Sequence, residues 1–164
     1  MPEETTQIGL DDVLITQELA HRSPRTPNLQ AETDALHALA RQLAEQSQTM
    51  LKTLVNVALE LCGAGSAGVS LLETTPNGEE VFRWVALAGA LEAYEQGTVE
   101  RNFSPCGVCL EAQAPQLYSY PGRYFTDLQD IQPQIVEALV IPLVPGNQPL
   151  GAIWGDVVKV LIRH

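Results

Sequence analysis

The sequence predicts an α+β domain with a central sheet that is mostly antiparallel. Residues 28–62 contain no proline or glycine, which predicts one long helix. Residues 67–88 and 135–158 each contain two apolar, strand-forming runs joined by a turn rich in glycine, asparagine and proline. Because helical segments separate these two hairpins and no alternation of strand and helix occurs, the strands are expected to run antiparallel.

The chain divides into an N-terminal arm over residues 1–28, a domain over residues 29–158 and a tail over residues 159–164. The arm is polar and is interrupted by Pro24 and Pro27. Four of its apolar residues can share one face of a short helix, namely Leu10, Val13, Leu14 and Leu19. The arm therefore predicts one or two amphipathic turns.

The long helix is expected to span residues 29–62, since Asn28 is a good N-cap and Gly63 stops it. Apolar residues recur along it at an interval of seven: Leu36, Leu43, Met50 and Val57. This stripe packs either on the domain's own sheet or, in its first half, against a second copy of the chain. We favour a homodimer through these helices, because about 34 helical residues exceed what so small a domain normally covers.

The predicted strands are, in chain order, Ala67–Glu73, Val81–Ala88, Leu117–Tyr120, Ile135–Val144 and Leu150–Val158. A helix is expected over Ser104–Gln113, because serine caps helices and Pro105 is tolerated at the first helical position. Residues 121–133 form an aromatic loop with short helical turns. These connections lie between the two hairpins.

The balance of charge excludes several classes of partner. Nine lysine and arginine residues stand against 20 aspartates and glutamates, and the net charge is −11. No basic run offers a footprint for nucleic acid, and no stretch of ~18 apolar residues predicts a membrane span. Residues 1–6 do not resemble a secretory signal, and three cysteines give no disulfide framework. We therefore expect a cytoplasmic protein.

Two stretches resemble a known family. They are FSPCGVCLE at 103–111, and IPL at 141–143 leading to PLGAIW at 149–154. With the order of elements and the lead-in LDDVLITQELAHR, they resemble GAF domains of bacterial signalling proteins, of the sensor histidine kinase type. The resemblance covers about residues 10–154. Related chains continue into a closing helix and a further domain, whereas residues 155–164 carry no kinase motif.

The resemblance implies a non-catalytic sensory domain that binds a small molecule or mediates dimerisation. GAF pockets lie between one sheet face and the segments that connect its strands. The candidate ligand-binding residues are Trp84, Cys106, Cys109, Tyr124 and Phe125. Packing in the core is the alternative for the aromatic residues, since only 5% of the chain is aromatic. The cofactor is left unknown, although Gly107 stands where bilin-binding members place a histidine.

Cys106 and Cys109 also support an alternative function, a redox sensor or a methionine sulfoxide reductase-like enzyme. Cys106 lies in the first turn of a predicted helix, where the helix dipole favours a thiolate, and Cys109 follows one turn later. The reductases place cysteines before the penultimate strand, where this chain has tyrosines and Phe125. No catalytic motif is complete and no second cysteine pair completes a zinc site, so neither a catalytic residue nor a metal ligand is assigned.

Overall fold

Six strands form one antiparallel sheet in the computed structural model, which describes residues 7–36 and 47–158. The strands are β1 (Ser66–Thr74), β2 (Glu80–Gly89), β3 (Thr98–Glu100), β4 (Gln116–Ser119), β5 (Ile135–Leu143) and β6 (Gly151–Val158). The helices are α1 (Leu10–Val13), α2 (residues 29–36), α3 (Ser47–Cys62) and α4 (Pro105–Ala112). The order across the sheet is β3-β2-β1-β6-β5-β4.

Both predicted hairpins are confirmed. β1 pairs antiparallel with β2 and β5 pairs antiparallel with β6. The turn of the first hairpin needs Gly78 at a φ of 84°, and the second has Gly146 at 58°, a region that glycine enters without steric cost. β1 also pairs antiparallel with β6, so the two hairpins form a single sheet. The short strand β3 was not predicted.

The sheet is covered on both faces. α3 packs on one face, where its buried Val55 meets small residues of β1 and β2, including Ala67 and Ala86. The other face carries a second core cluster that includes Phe82, Tyr118 and residues of α4. Small alanines under α3 let the helix approach the strands closely, and the larger side chains fill the opposite side.

α4 confirms the predicted helix over Ser104–Gln113. The Ser104 Oγ accepts a hydrogen bond from the backbone N–H of Gly107 at 3.1 Å, and Pro105 occupies the first turn. A Cβ on Gly107 would collide with the carbonyl oxygen of Arg101. Gly107 therefore lets the start of α4 lie against the preceding turn.

The N-terminal arm packs onto the domain. Val13 is fully buried in the core cluster that contains α4, and Leu14 forms a β-bridge with Tyr118 of β4. Arg22 makes two hydrogen bonds with the Glu137 carboxylate of β5, at 2.7 and 3.0 Å. The arm thus covers the free edge of β4, which would otherwise expose unpaired backbone groups.

The single helix predicted over residues 29–62 is wrong. Ala31 of α2 and Leu61 of α3 line one common cleft, whereas a straight helix would hold them ~45 Å apart. Arg25, just before α2, donates a hydrogen bond to the Cys62 carbonyl oxygen at 3.0 Å. The start of α2 therefore lies beside the end of α3. Residues 37–46, across which the helix was predicted to continue, lie outside the described residues.

Candidate functional site

A cavity of about 50 Å³ lies between the sheet and the segments that connect its strands. It is on the face opposite α3. Its wall includes Trp84, Ala138 and Trp154 from the sheet, Cys106 from α4, and Pro121 and Ile131 from the connection between β4 and β5. This is the position that the resemblance to GAF domains implies for a pocket.

The two tryptophans face each other across β1. Trp84 on β2 and Trp154 on β6 lie with their ring centroids 6.4 Å apart and their planes at 67°. Gly68 of β1 is opposite Trp154, and a Cβ on it would collide with the Trp154 indole and with Leu87. Glycine at this position therefore leaves room for the indole to lie across the central strand.

Two serines of β1 bind polar groups of β6 on the same face. The Trp154 Nε1–H donates to the Ser70 Oγ at 2.9 Å. The Ser66 Oγ–H donates to Oδ1 of Asp156, which lies in the cavity wall. Both serines are fully buried. The indole hydrogen of Trp154 and the hydroxyl hydrogen of Ser66 are thus already engaged within the protein.

Asp156 is the acidic group of the cavity wall, and its side chain is almost fully buried, with 3% of the residue exposed. No described residue donates a hydrogen bond to its Oδ2. Burial raises the pKa of Asp156 from 3.8 to about 6, although its hydrogen bonds with Ser66 act in the opposite direction. Among the described residues that line the cavity there is no lysine or arginine.

Cys106 and Cys109 are buried thiols. Burial raises the pKa of each to about 12, and a hydrogen bond with Ser70 only partly offsets this for Cys106. The Cys109 thiol lies 3.3 Å from two backbone carbonyl oxygens, those of Ala114 and Val140. At Cys106, loss of hydration therefore opposes the thiolate that the helix dipole favours.

Three of the five candidate site residues do not line the cavity. Phe125 is a core residue, with ring centroids 5.6 Å from Phe103 and 5.7 Å from Tyr118. Tyr124 packs on Phe103 and Phe125 at the side of this aromatic cluster. Cys109 lies deeper in the same core. The other two, Trp84 and Cys106, are in the cavity wall.

Asp156 and Ser66 were missed, although the sequence carries a signal for Asp156. It is an acid within the otherwise apolar strand GAIWGDVV, and residues two apart on a strand share a face. Asp156 therefore had to lie on the same face as Trp154. An inward-facing acid in a strand needs a partner, and Ser66 is opposite it on β1.

Residues 7–36 and 47–158 contain no group of three histidine, cysteine, aspartate or glutamate side chains placed to hold a metal ion. None of the helices described there is both long and apolar enough to cross a membrane.

The replacement Asp156→Asn is expected to stabilise the protein above pH 6. The folded-state pKa is raised, so the ionised carboxylate destabilises the fold as pH rises from 3.8 through about 6. The amide keeps the shape without this charge, and we expect a gain of roughly 2–3 kcal/mol at pH 8 that vanishes below pH 4. Urea unfolding of the wild type and of Asp156→Asn between pH 3.5 and 8 measures this difference in the free energy of unfolding. Equal stability of the two proteins at pH 8 would refute a buried charge at Asp156.

Thiol labelling is expected to separate Cys62 from the other two cysteines. Cys62 is exposed, whereas Cys106 and Cys109 are buried and have a pKa of about 12. The native protein should react with Ellman's reagent at one thiol in a fast phase, and Cys62→Ser should remove that phase. Unfolding in guanidinium should make all three react. A fast reaction at Cys106 in the native protein would instead support the redox alternative.

The sequence matches no family model and no curated protein. Solved structures do match. A GAF domain of a phosphoenolpyruvate-protein phosphotransferase from Coxiella burnetii aligns with a TM-score of 0.61 and 16% identity, over 81% of each chain. A Staphylococcus aureus NreA protein mutated in its nitrate binding site aligns at 0.54 and 13% identity, over 72% of this chain and 88% of that one.

A third match is the phycoerythrobilin-bound GAF domain from a cyanobacterial phytochrome, at a TM-score of 0.55 and 9% identity, over 80% of this chain and 85% of that one. Identities this low establish a shared fold and carry no ligand from one protein to another. The antiparallel six-stranded sheet, with α3 on one face and α4 and the connections on the other, matches these structures along most of its length. This chain has the fold of a GAF domain.

Proposed function

We propose that this domain is a non-catalytic regulatory module that binds a small molecule in the cavity lined by Trp84 and Trp154. The observation that carries the proposal is the cavity itself, which is mostly apolar and has a few polar groups in its wall. Small-molecule sites in proteins have this composition. Structural neighbours that hold phycoerythrobilin or have a nitrate binding site support the idea that this fold accommodates ligands.

The volume of the cavity restricts the ligand. A cavity needs roughly 10–15 Å³ to hold one water molecule, so a cavity of about 50 Å³ admits a compact ligand of a few non-hydrogen atoms. A tetrapyrrole or a nucleotide would require the connection between β4 and β5 to move away. We therefore propose a compact ligand for the conformation described here.

Contacts at the edge of the cavity offer a way to convert binding into a signal. The Tyr94 hydroxyl accepts a hydrogen bond from the backbone N–H of Gln132 at 2.9 Å and so ties the β2–β3 connection to the β4–β5 connection. Arg123 of the second connection donates to the backbone oxygen of Asp12 in the arm, at 3.2 Å. A ligand that favours one arrangement of these connections would also change the arm.

We further propose that the domain forms a homodimer through its N-terminal helices. Leu29 and Leu36 are 71% and 67% exposed. Their spacing of seven residues, about two helical turns, places them on one face of α2. Two large apolar side chains on one exposed helix face favour contact with another apolar surface. A second copy of α2 would present the same pair.

Filling the cavity is expected to abolish ligand binding. The chain has two tryptophans and both line the cavity, so its tryptophan fluorescence reports directly on that site. A screen of polar and apolar compounds of a few non-hydrogen atoms should yield one that changes the fluorescence and raises the melting temperature. Ala138→Leu, which adds three carbons in the cavity wall, should remove both responses.

The matched control is Ala112→Leu, at an exposed position near the end of α4. It should keep both responses. Circular dichroism verifies that each variant is folded, since added core volume typically costs 1–3 kcal/mol. If the compound acts equally on Ala138→Leu and wild type, the cavity is not its site and the proposed function fails.

The dimer is tested by sedimentation velocity of the double variant Leu29→Ser, Leu36→Ser. Removing both apolar side chains from the exposed face of α2 should shift the protein from dimer towards monomer. Leu150→Ser is the control, because Leu150 is also exposed but lies beside the turn between β5 and β6. A double variant that sediments as the same dimer would contradict this arrangement.

A further inference from the structure

The carboxylate of Asp156 is only half satisfied by the protein. Its Oδ1 accepts the Ser66 hydroxyl, while its Oδ2 is buried and receives no hydrogen bond from any described residue. A buried carboxylate oxygen without a donor destabilises a fold, and proteins normally supply a donor from a side chain, the backbone or a bound molecule. A bound ligand that donates a hydrogen bond would therefore satisfy Oδ2.

Two of the hydrogen-bond donors near Asp156 are already engaged within the protein. The Trp154 Nε1–H is bound to Ser70, and the Ser66 hydroxyl is bound to Asp156 itself. The described cavity wall also contains no lysine or arginine that could turn towards the carboxylate. Rotation of a side chain in the described wall therefore brings no positive charge to Oδ2.

The remaining wall is suited to a cation with an apolar body. The Trp84 and Trp154 indoles enclose part of the cavity at 67° to one another, and indole faces attract ammonium groups through their quadrupole. Aliphatic side chains such as Val140 and Ile135 complete the wall. An anion would instead lie beside a carboxylate with no compensating positive charge, which opposes its binding.

We propose that the cavity binds a small organic ammonium ion, a protonated primary amine on a short alkyl chain. This inference rests on the proposed function and specifies its ligand. The ammonium group donates a charge-assisted hydrogen bond to Asp156 and contacts the indoles, while the alkyl chain lies against the aliphatic wall. The cavity of about 50 Å³ limits the alkyl chain to a few carbons.

Three probes of similar size and different charge test the proposal: ethylammonium, ethanol and acetate. Binding is followed by tryptophan fluorescence and by the two indole N–H signals in ¹H–¹⁵N spectra, since both tryptophans line the cavity. Ethylammonium should give saturable changes in both indole signals. Ethanol and acetate should each bind at least about tenfold more weakly than ethylammonium, because neither donates a charged hydrogen bond to the carboxylate.

Asp156→Asn is the decisive variant, because it keeps the shape of the side chain and removes its charge. It should weaken ethylammonium binding by about tenfold or more and leave ethanol binding little changed. Asp127→Asn is the matched control, since Asp127 is an exposed acid on the β4–β5 connection. It should bind ethylammonium like the wild type. Constant ionic strength is needed, because a net charge of −11 attracts any cation weakly.

The outcomes separate this inference from the proposed function. If ethanol or acetate binds as tightly as ethylammonium, or if Asp156→Asn binds ethylammonium normally, the ammonium site is refuted while a cavity ligand is retained. Failure of ethylammonium to bind the wild type also refutes it. The proposed function falls only if Ala138→Leu leaves the response to every bound compound unchanged.

Discussion

The pairing of β1 with β6 is the interaction on which the rest of the structure depends. It joins the two hairpins into one sheet and sets Ser66, Gly68 and Ser70 opposite Asp156, Trp154 and Ala152. These three β1 residues share a face, and all are small. Small side chains along the central strand leave the space that the Trp154 indole and the cavity occupy. A large residue at Gly68 would displace that indole.

Much of the fold could be predicted because its signals are local. The four long strands and α4 follow from apolar runs, turn residues and a serine cap, whereas β3 is three residues long and too short to show a period. The helix over 29–62 failed for a different reason. The absence of proline and glycine permits a helix. It does not show where the helix ends, because that depends on how much of its apolar face tertiary packing covers. The prediction of a GAF fold remains correct because that fold is defined by the sheet and does not depend on the length of this helix.

The site was predicted less well, because burial decides what each side chain does. Trp84 and Cys106 line the cavity, whereas Phe125 is held in a cluster with Phe103 and Tyr118 that no spacing rule reveals. For Cys106, a helix N-terminus contributes ~1 kcal/mol in favour of a thiolate. A rise in its pKa from 9.0 to about 12 corresponds to about 4 kcal/mol against one. Desolvation therefore prevails, and a helix cap in a sequence does not by itself predict a reactive cysteine.

The arm connects the site to the rest of the chain. Its backbone hydrogen bonds join it to β4, since the Ile15 N–H donates to the Leu117 carbonyl oxygen at 2.8 Å. Arg123 links it to the connection that forms one wall of the cavity, and Arg25 links it to the end of α3 on the opposite face. The arm thus contacts both layers of the domain. Under the proposed function, a ligand acts only through a difference in affinity between two arrangements of the β4–β5 connection, and these two contacts are where such a difference would reach the arm and α3.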